Sequence, residues 1–234
     1  MTNRCLLAID ASSAVCDVAV RGPQGVVSHA TDQSGSHASE LMASLGTVLD
    51  QAQLDIADLQ GVVYGCGPGS FTGVRIGVAV AQGIAHAASL PMLPVSSLRN
   101  IAQQQFEGDA TCNALSVAID ARMGEWYVAQ FTRGANGIAE QTAPAALISP
   151  QQWLAEVAAT TQLLLALDAL PQALNGIIEQ RALSVRCELR TPSAQVALNL
   201  ADGADSAAWH AANAATPSYV RDKVAQTIVE RQAR

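Results

Sequence analysis

The chain has 234 residues, 50% of them hydrophobic and only 14% charged, with 20 Asp and Glu against 13 Lys and Arg for a formal net charge of −7. So apolar a chain is not a disordered polar tail, and so acidic a one lacks the basic footprint of a stand-alone nucleic-acid binder. Five cysteines, at 5, 16, 66, 112 and 187, form no Cys-x-x-Cys, so reduced buried thiols are expected rather than a disulfide frame or a zinc site.

In chain order, residues 5–9 and 15–20 read as strands, and the turn Gly22-Pro23-Gln24-Gly25 leads into a short third strand at 26–30. From Ser36, a candidate N-cap, apolar residues at 38, 41, 42, 45, 48, 49 and 52 predict a helix, with Glu40 favourably placed in its first turn. Val62-Val63-Tyr64 predicts a buried strand, followed by a glycine-rich loop, a helix to about Ala88 and a short strand ending at Val95. The second half predicts a hairpin up to Phe131, a helix from about Pro150, a strand at 163–167 and helices around 172–181 and 194–201. The apolar segment at 6–9 is too short for a signal peptide, and Arg75, Gln82, His86 and two prolines interrupt 74–95, which argues against a membrane span. A cytoplasmic protein is expected, with no membrane partner.

An internal echo sets the organisation. Ala8-Ile9-Asp10-Ala11 opens a stretch ending Val18-Ala19-Val20, and Ala118-Ile119-Asp120-Ala121 opens one ending Val128-Ala129-Gln130. At this constant offset of 110, six of thirteen positions are identical. The repeat predicts two lobes on one plan, 1–108 and 109–234, with room for the final segment to pack back on the first.

Residues 65–77, Gly-Cys-Gly-Pro-Gly-Ser-Phe-Thr-Gly-Val-Arg-Ile-Gly, carry the strongest local signal. A strand running through glycines into a helix start can hold an anion on free backbone N–H groups, which makes Gly67, Gly69 and Ser70, with Asp10 and Ser12, candidate nucleotide or anion ligands. The competing reading is a tight turn in which the glycines permit close packing. The run is neither a Walker loop nor a dinucleotide fingerprint. Asp10 and Asp120 each close an apolar strand, where a carboxylate either holds hydrated Mg²⁺ or caps the turn that follows. The histidines at 29, 37, 86 and 210 contain no pair four apart, and no Ser or Cys sits in a nucleophile elbow, so no catalytic residue and no metal ligand is assigned. The helix at 73–88 is apolar almost all round, with Gly77, Ala81 and Ala85 as a small-residue ridge, and needs cover on more than one face.

The 67–77 run, Pro94-Val95-Ser96-Ser97-Leu98, the 118–125 run Ala-Ile-Asp-Ala-Arg-Met-Gly-Glu and Pro217-Ser218-Tyr219-Val220-Arg221 together resemble the TsaB (YeaZ) family, in order over nearly the whole chain and loosely over 135–215. The resemblance implies an α/β actin-like, Hsp70-like ATPase fold of two duplicated lobes with mixed sheets flanked by helices. It implies a non-catalytic subunit that pairs with the transferase TsaD, and with the ATPase TsaE, in making threonylcarbamoyladenosine beside the anticodon of tRNA. tRNA would be held only through that complex, ATP or ADP and a metal ion would come with the partners, and this chain would bind no cofactor firmly. Association with TsaD, or with a second copy, is expected through the first two helices, at His37, Leu41, Leu45, Arg75, Val78, Ala81, Gln82 and Ala85. Where TsaD carries two metal-binding histidines, this chain has Ser97 and Ile101. After the strand at 163–167 it also lacks the glycines usual in the family. A small-molecule kinase on the same fold is the alternative.

Overall fold

The computed structural model describes residues 4–32, 37–158, 161–167 and 169–220. The first half runs β1 (Leu6–Asp10), β2 (Val15–Gly22), β3 (Gly25–Asp32), α1 (His37–Ala52), β4 (Val62–Gly67), α2 (Phe71–Ala87), β5 (Met92–Ser96) and α3 (Ser97–Gly108). The second runs β6 (Ala114–Asp120), β7 (Trp126–Arg133), β8 (Ala139–Gln141), β9 (Ala146–Ile148), α4 (Pro150–Glu156), β10 (Gln162–Ala166), α5 (Asn175–Gln180), β11 (Val185–Cys187) and α6 (Ala194–Asp202). The expected cap at Ser36 lies outside the described residues.

Sheet order is β3-β2-β1-β4-β5 in the first lobe and β11-β10-β6-β7-β8 in the second, with β9 also on β7. Counted from each lobe's first strand these are one topology, its third strand split in two in the second copy. In both, the first two strands are antiparallel (Asp10↔Asp17; Asp120↔Trp126) and the first and fourth are parallel. The echo at offset 110 is therefore a structural duplication, and the repeated order is the actin-like plan.

The period of two along β1 explains its unbroken burial. Leu7 and Ile9 face α1 and α2, whereas Leu6 and Ala8 face α6. In β6, Leu115 and Val117 pack with α3, and Ala118 packs on the other face with Trp153 and Leu154 of α4. α3 and α6 lie between the sheets, joined by Asn100, whose Nδ2 donates to Ser193 O (2.8 Å) and whose Oδ1 accepts from Ser193 N (2.9 Å).

Two differences from the sequence reading have physical causes. α3 follows β5 directly, a helix the apolar pattern did not reveal because its buried face includes polar side chains. Gln103 Oε1, for example, accepts from Ala139 N at 2.7 Å. α6, read as a helix of the second lobe, packs Ala194, Ala197, Leu198, Leu200 and Ala201 on the first sheet.

Candidate functional site

Asp10 ends β1, and the chain then turns back on it. Its Oδ1 accepts from Ser12 N (2.8 Å) and from Ser12 Oγ (2.6 Å), and Ser97 Oγ donates to Ser12 Oγ (2.9 Å). Asp10 is 2% exposed and its Oδ2 has no hydrogen-bond partner. Burial raises its pKa to about 6, against the opposing pull of the Ser12 hydrogen bonds.

The glycines of the 65–77 run explain why this turn can sit so deep. A methyl on Gly65 would overlap the Asp10 carboxylate, one on Gly69 the Ser12 carbonyl and one on Gly73 the Ala11 carbonyl. A Cβ on Gly77 would come within 3.3 Å of the Ala11 side chain. Four glycines at spacing four thus make a bed for residues 10–12. Gly67, at φ +89, bends the chain before the cis peptide to Pro68. At the start of α2, Ser70 N donates to Ser12 O (2.7 Å), and Ser70 Oγ caps Gly73 N (3.2 Å). The structure brings Asp10, Ser12, Gly67, Gly69 and Ser70 together: they pack on one another through the glycines, and Ser12, Gly69 and Ser70 also line an open cleft.

Ser97 is hydrogen-bonded to Ser12, and Ile101 is 1% exposed within the core that α3 forms with the second sheet. Neither offers a nitrogen or an unengaged carboxylate, so these two positions do not fit a metal. Among the described residues, no cluster of three or more His, Cys, Asp or Glu is placed to hold one. None of their helices is long and apolar enough to cross a membrane.

In the second lobe the equivalent turn is open. Arg122 N donates to Asp120 Oδ1 (2.7 Å), as Ser12 N does to Asp10, but nothing lies within 4 Å of a Cβ on Gly124. Between the lobes is a cleft of about 1350 Å³, its walls including Ser12, Ser97 and Ser70 from the first lobe and Asp120, Trp126 and Leu167 from the second. Sequence reasoning missed the aromatic lip of this cleft, where the Arg75 guanidinium lies 3.3 Å from the Phe71 ring centroid and 5.3 Å from that of Tyr219. The Phe-x-x-x-Arg spacing within the helix was the available signal.

The expected association residues divide. Leu41, Leu45, Val78, Ala81 and Ala85 are core, each at most 4% exposed. Gln82 Nε2 donates to Ala212 O (2.8 Å) of the chain's own later segment. Arg75 is half-buried on the aromatic lip; the His37 side chain lies outside the described residues. The reason is the helical period: the ridge at 77, 81 and 85 points into the sheet, and residues 212–215 cover another flank of α2. The residues that α1 and α2 turn outward include Met42, Ala43 and Gly46 on the first and Ala79, Gly83 and His86 on the second.

The fold and this self-closed first turn define the class: a two-lobed actin-like protein whose first lobe packs its glycine-rich helix on its own chain. The model of the family described as TsaD, tRNA N6-adenosine threonylcarbamoyltransferase, matches residues 19–184. The tRNA threonylcarbamoyladenosine biosynthesis proteins TsaB of Escherichia coli (strain K12) and Haemophilus influenzae (strain ATCC 51907 / DSM 11121 / KW20 / Rd) are each 38% identical, over 62% and 57% of this chain. Those matches span 63% and 56% of the two relatives, less than two thirds of either. The solved structure of YeaZ from Pseudomonas aeruginosa superposes at a TM-score of 0.79, with 28% identity, over 92% of this chain and 99% of that one. The chain belongs to the family that this model describes and stands with its TsaB and YeaZ members.

Proposed function

We propose that the chain is a non-catalytic subunit that pairs with a TsaD-type transferase, and through it with a TsaE-type ATPase, in forming threonylcarbamoyladenosine beside the anticodon of tRNAs that read codons beginning with A. One observation carries the reading: Ser97 and Ile101, where the transferase would need imidazoles, serve a hydroxyl network and the core. The similarity to TsaB proteins supports the pathway. The kinase alternative is disfavoured by the seat of Asp10 beneath the glycines of α2 and its approach. In this reading ATP or ADP and a metal ion belong to the partners, tRNA is held through the complex, and the work is cytoplasmic.

The association surface is the outer face of α1 and α2. Gly46 and Gly83 lie inside helices and are exposed, with nothing within 4 Å of a Cβ at either position. A mid-helix glycine costs about 1 kcal/mol relative to alanine, and no contact among the described residues accounts for either. Close approach of another helix, from the transferase or from a second copy, does. The test is a tRNA threonylcarbamoylation assay with the same organism's transferase, ATPase and synthase, with and without this chain. Activity that requires the chain, together with a co-purifying complex, is expected; modification of tRNA by the chain without the transferase would overturn the reading.

A further inference from the structure

Beyond α6 the chain runs along the first lobe to the interlobar cleft and is fixed at each step. His210 forms a bridge with Met92 at the edge of β5, and its Nε2 lies 3.1 Å from the hydroxyl of buried Tyr64. Gln82 Nε2 holds Ala212 O against α2, and Ser218 N donates to Cys66 O (2.8 Å) beside the glycine-rich turn. Ser218 and Tyr219 therefore stand at the mouth of the cleft, and residues 221–234 continue from there.

The mouth is apolar where it meets water. Four of the seven large apolar side chains exposed among the described residues, Phe71, Met123, Leu189 and Tyr219, line it. Its arginines are engaged: Arg122 pairs with Asp120 (3.3 Å) and Arg190 with Glu188, while Arg75 donates to Phe71 O and lies over the Phe71 ring. Such a surface calls for an apolar cover rather than a counter-ion. Residues 221–234 have the sequence of one. Val224, Ala225, Ile228 and Val229 fall at the i, i+1, i+4, i+5 spacing that gathers apolar residues on one helix face, and Ala233 apart the other positions are polar. So short a helix is marginal in water unless that face is buried. The segment holds four bases against two acids, whereas residues 1–220 hold nine against 18, so the two are opposite in net charge. Tethering adds to this. Val224 is five residues past Tyr219, at most about 17 Å of extended chain, and a short flexible tether gives an effective concentration of about 1 mM. A contact with a dissociation constant of only about 0.1 mM would then be about nine-tenths formed.

We propose that residues 221–234 seat in the interlobar cleft of their own chain, with the face of Val224, Ile228 and Val229 laid against Phe71, Met123 and Leu189. Phe71 opens α2 of the first lobe, whereas Met123 and Leu189 belong to the second, so the seated segment clasps the two lobes together. Size disfavours a small ligand as the occupant, since 1350 Å³ exceeds the roughly 300–1,000 Å³ of typical small-molecule sites. The far wall is shaped for such a contact. Arg122, Met123 and Gly124 hold φ values of +64, +57 and +78 in succession, a backbone that arginine and methionine rarely adopt. This turn holds Met123 outward, 70% exposed, where an unbranched, adaptable side chain can pack on the segment.

The proposal is independent of the partnership proposed above, and its test uses this chain alone. Hydrogen exchange of the 234-residue chain is compared with that of Ile228→Asp/Val229→Asp, of Met123→Asp on the other side of the contact, and of the conservative Ile228→Val/Val229→Ile. Each variant is checked for cooperative unfolding. In wild type, amides at 224–229 are expected to exchange at least tenfold more slowly than those of an unstructured chain. Both aspartate variants are expected to lose that protection, and the double one to quicken exchange over 119–127 as well, while the conservative pair matches wild type. Tenfold dilution should leave the wild-type protection unchanged, as an intramolecular contact requires. Exchange of 224–229 at the unstructured rate in wild type overturns the proposal whatever the variants do. Protection that survives both aspartate variants also overturns it, by seating the segment elsewhere. Protection lost on dilution overturns it too, by making the occupant the same segment of a second copy.

Discussion

Asp10 keeps its proton to about pH 6 because its carboxyl is buried and one oxygen is unpartnered. The unfolded chain gives up the same proton near pH 4. Between these values the native state binds more protons than the unfolded state, so stability falls as pH rises from about 4 to 6 and levels off above that. At 1.36 kcal/mol per pH unit the loss is on the order of 3 kcal/mol. Asp17, raised by burial as well, acts in the same direction. Asp109 and Asp205 are lowered by hydrogen bonds from Thr111 and from Ala207 and Ser206, and they act only below pH 4. Urea unfolding of wild type at pH 4.5 and pH 7 is expected to give the higher stability at pH 4.5, with Asp10→Asn flattening most of the difference. An equal slope in the variant would place the titration elsewhere. Asp10 was legible in the sequence as an acid closing an apolar strand. Its burial was not, because the contact of residues 10–12 with glycines 65–77 depends on the parallel pairing of β1 with β4 across more than fifty residues.

At the scale of elements, α2 shows what hydropathy reveals and what it hides. The sequence showed that this helix needs cover on several faces. Which apolar residues point outward depends on where the sheet, α1 and residues 212–215 sit. Ala79 and Ala81 are two residues apart on one helix with opposite fates, since Ala79 is exposed and Ala81 is 0% exposed. A glutamate at 81 buries an unpaired carboxylate and is expected to cost several kcal/mol, enough to lose cooperative folding. A glutamate at 79 is expected to change the stability of the isolated chain by no more than about 0.5 kcal/mol. It should nonetheless weaken transferase binding by at least tenfold, about 1.4 kcal/mol, if the outer face is the interface. Thermal melts beside a binding titration separate the two, and wild-type affinity in a folded Ala79→Glu variant would move the interface off this face. α3 marks the opposite limit: its glutamines face backbone from distant segments, Gln103 bonding Ala139 N and Gln104 donating to Thr191 O at 2.9 Å. Such partners are invisible along the chain.

Across the whole molecule, the duplication was legible in thirteen residues and left room for the final segment to pack back on the first lobe, but the place of α6 was not legible, because its sequence resembles any short apolar helix and its partners lie on β2. β2 supplies groups for both of its ends. Asp17 Oδ2 accepts from Ala194 N (2.8 Å) at the helix start, where a negative charge suits the helix dipole. Arg21, at the other end, pairs with Asp202 (2.6 Å) and donates to Asn199 Oδ1 (3.3 Å). Between them Leu198 and Leu200, both 0% exposed, close the face of Leu6, Ala8 and Val63. Leu198→Ala should cost about 2–5 kcal/mol through the lost contacts and the cavity left behind. If α6 is a structural part of the first lobe, that loss belongs to the first sheet, although residue 198 lies far along the chain. Native-state hydrogen exchange in the variant is then expected to speed up at β1 and β4 more than at β6 and β10. Faster exchange confined to β6 and β10 would mean that α6 stabilises the second lobe instead, and that the first sheet folds without its cover.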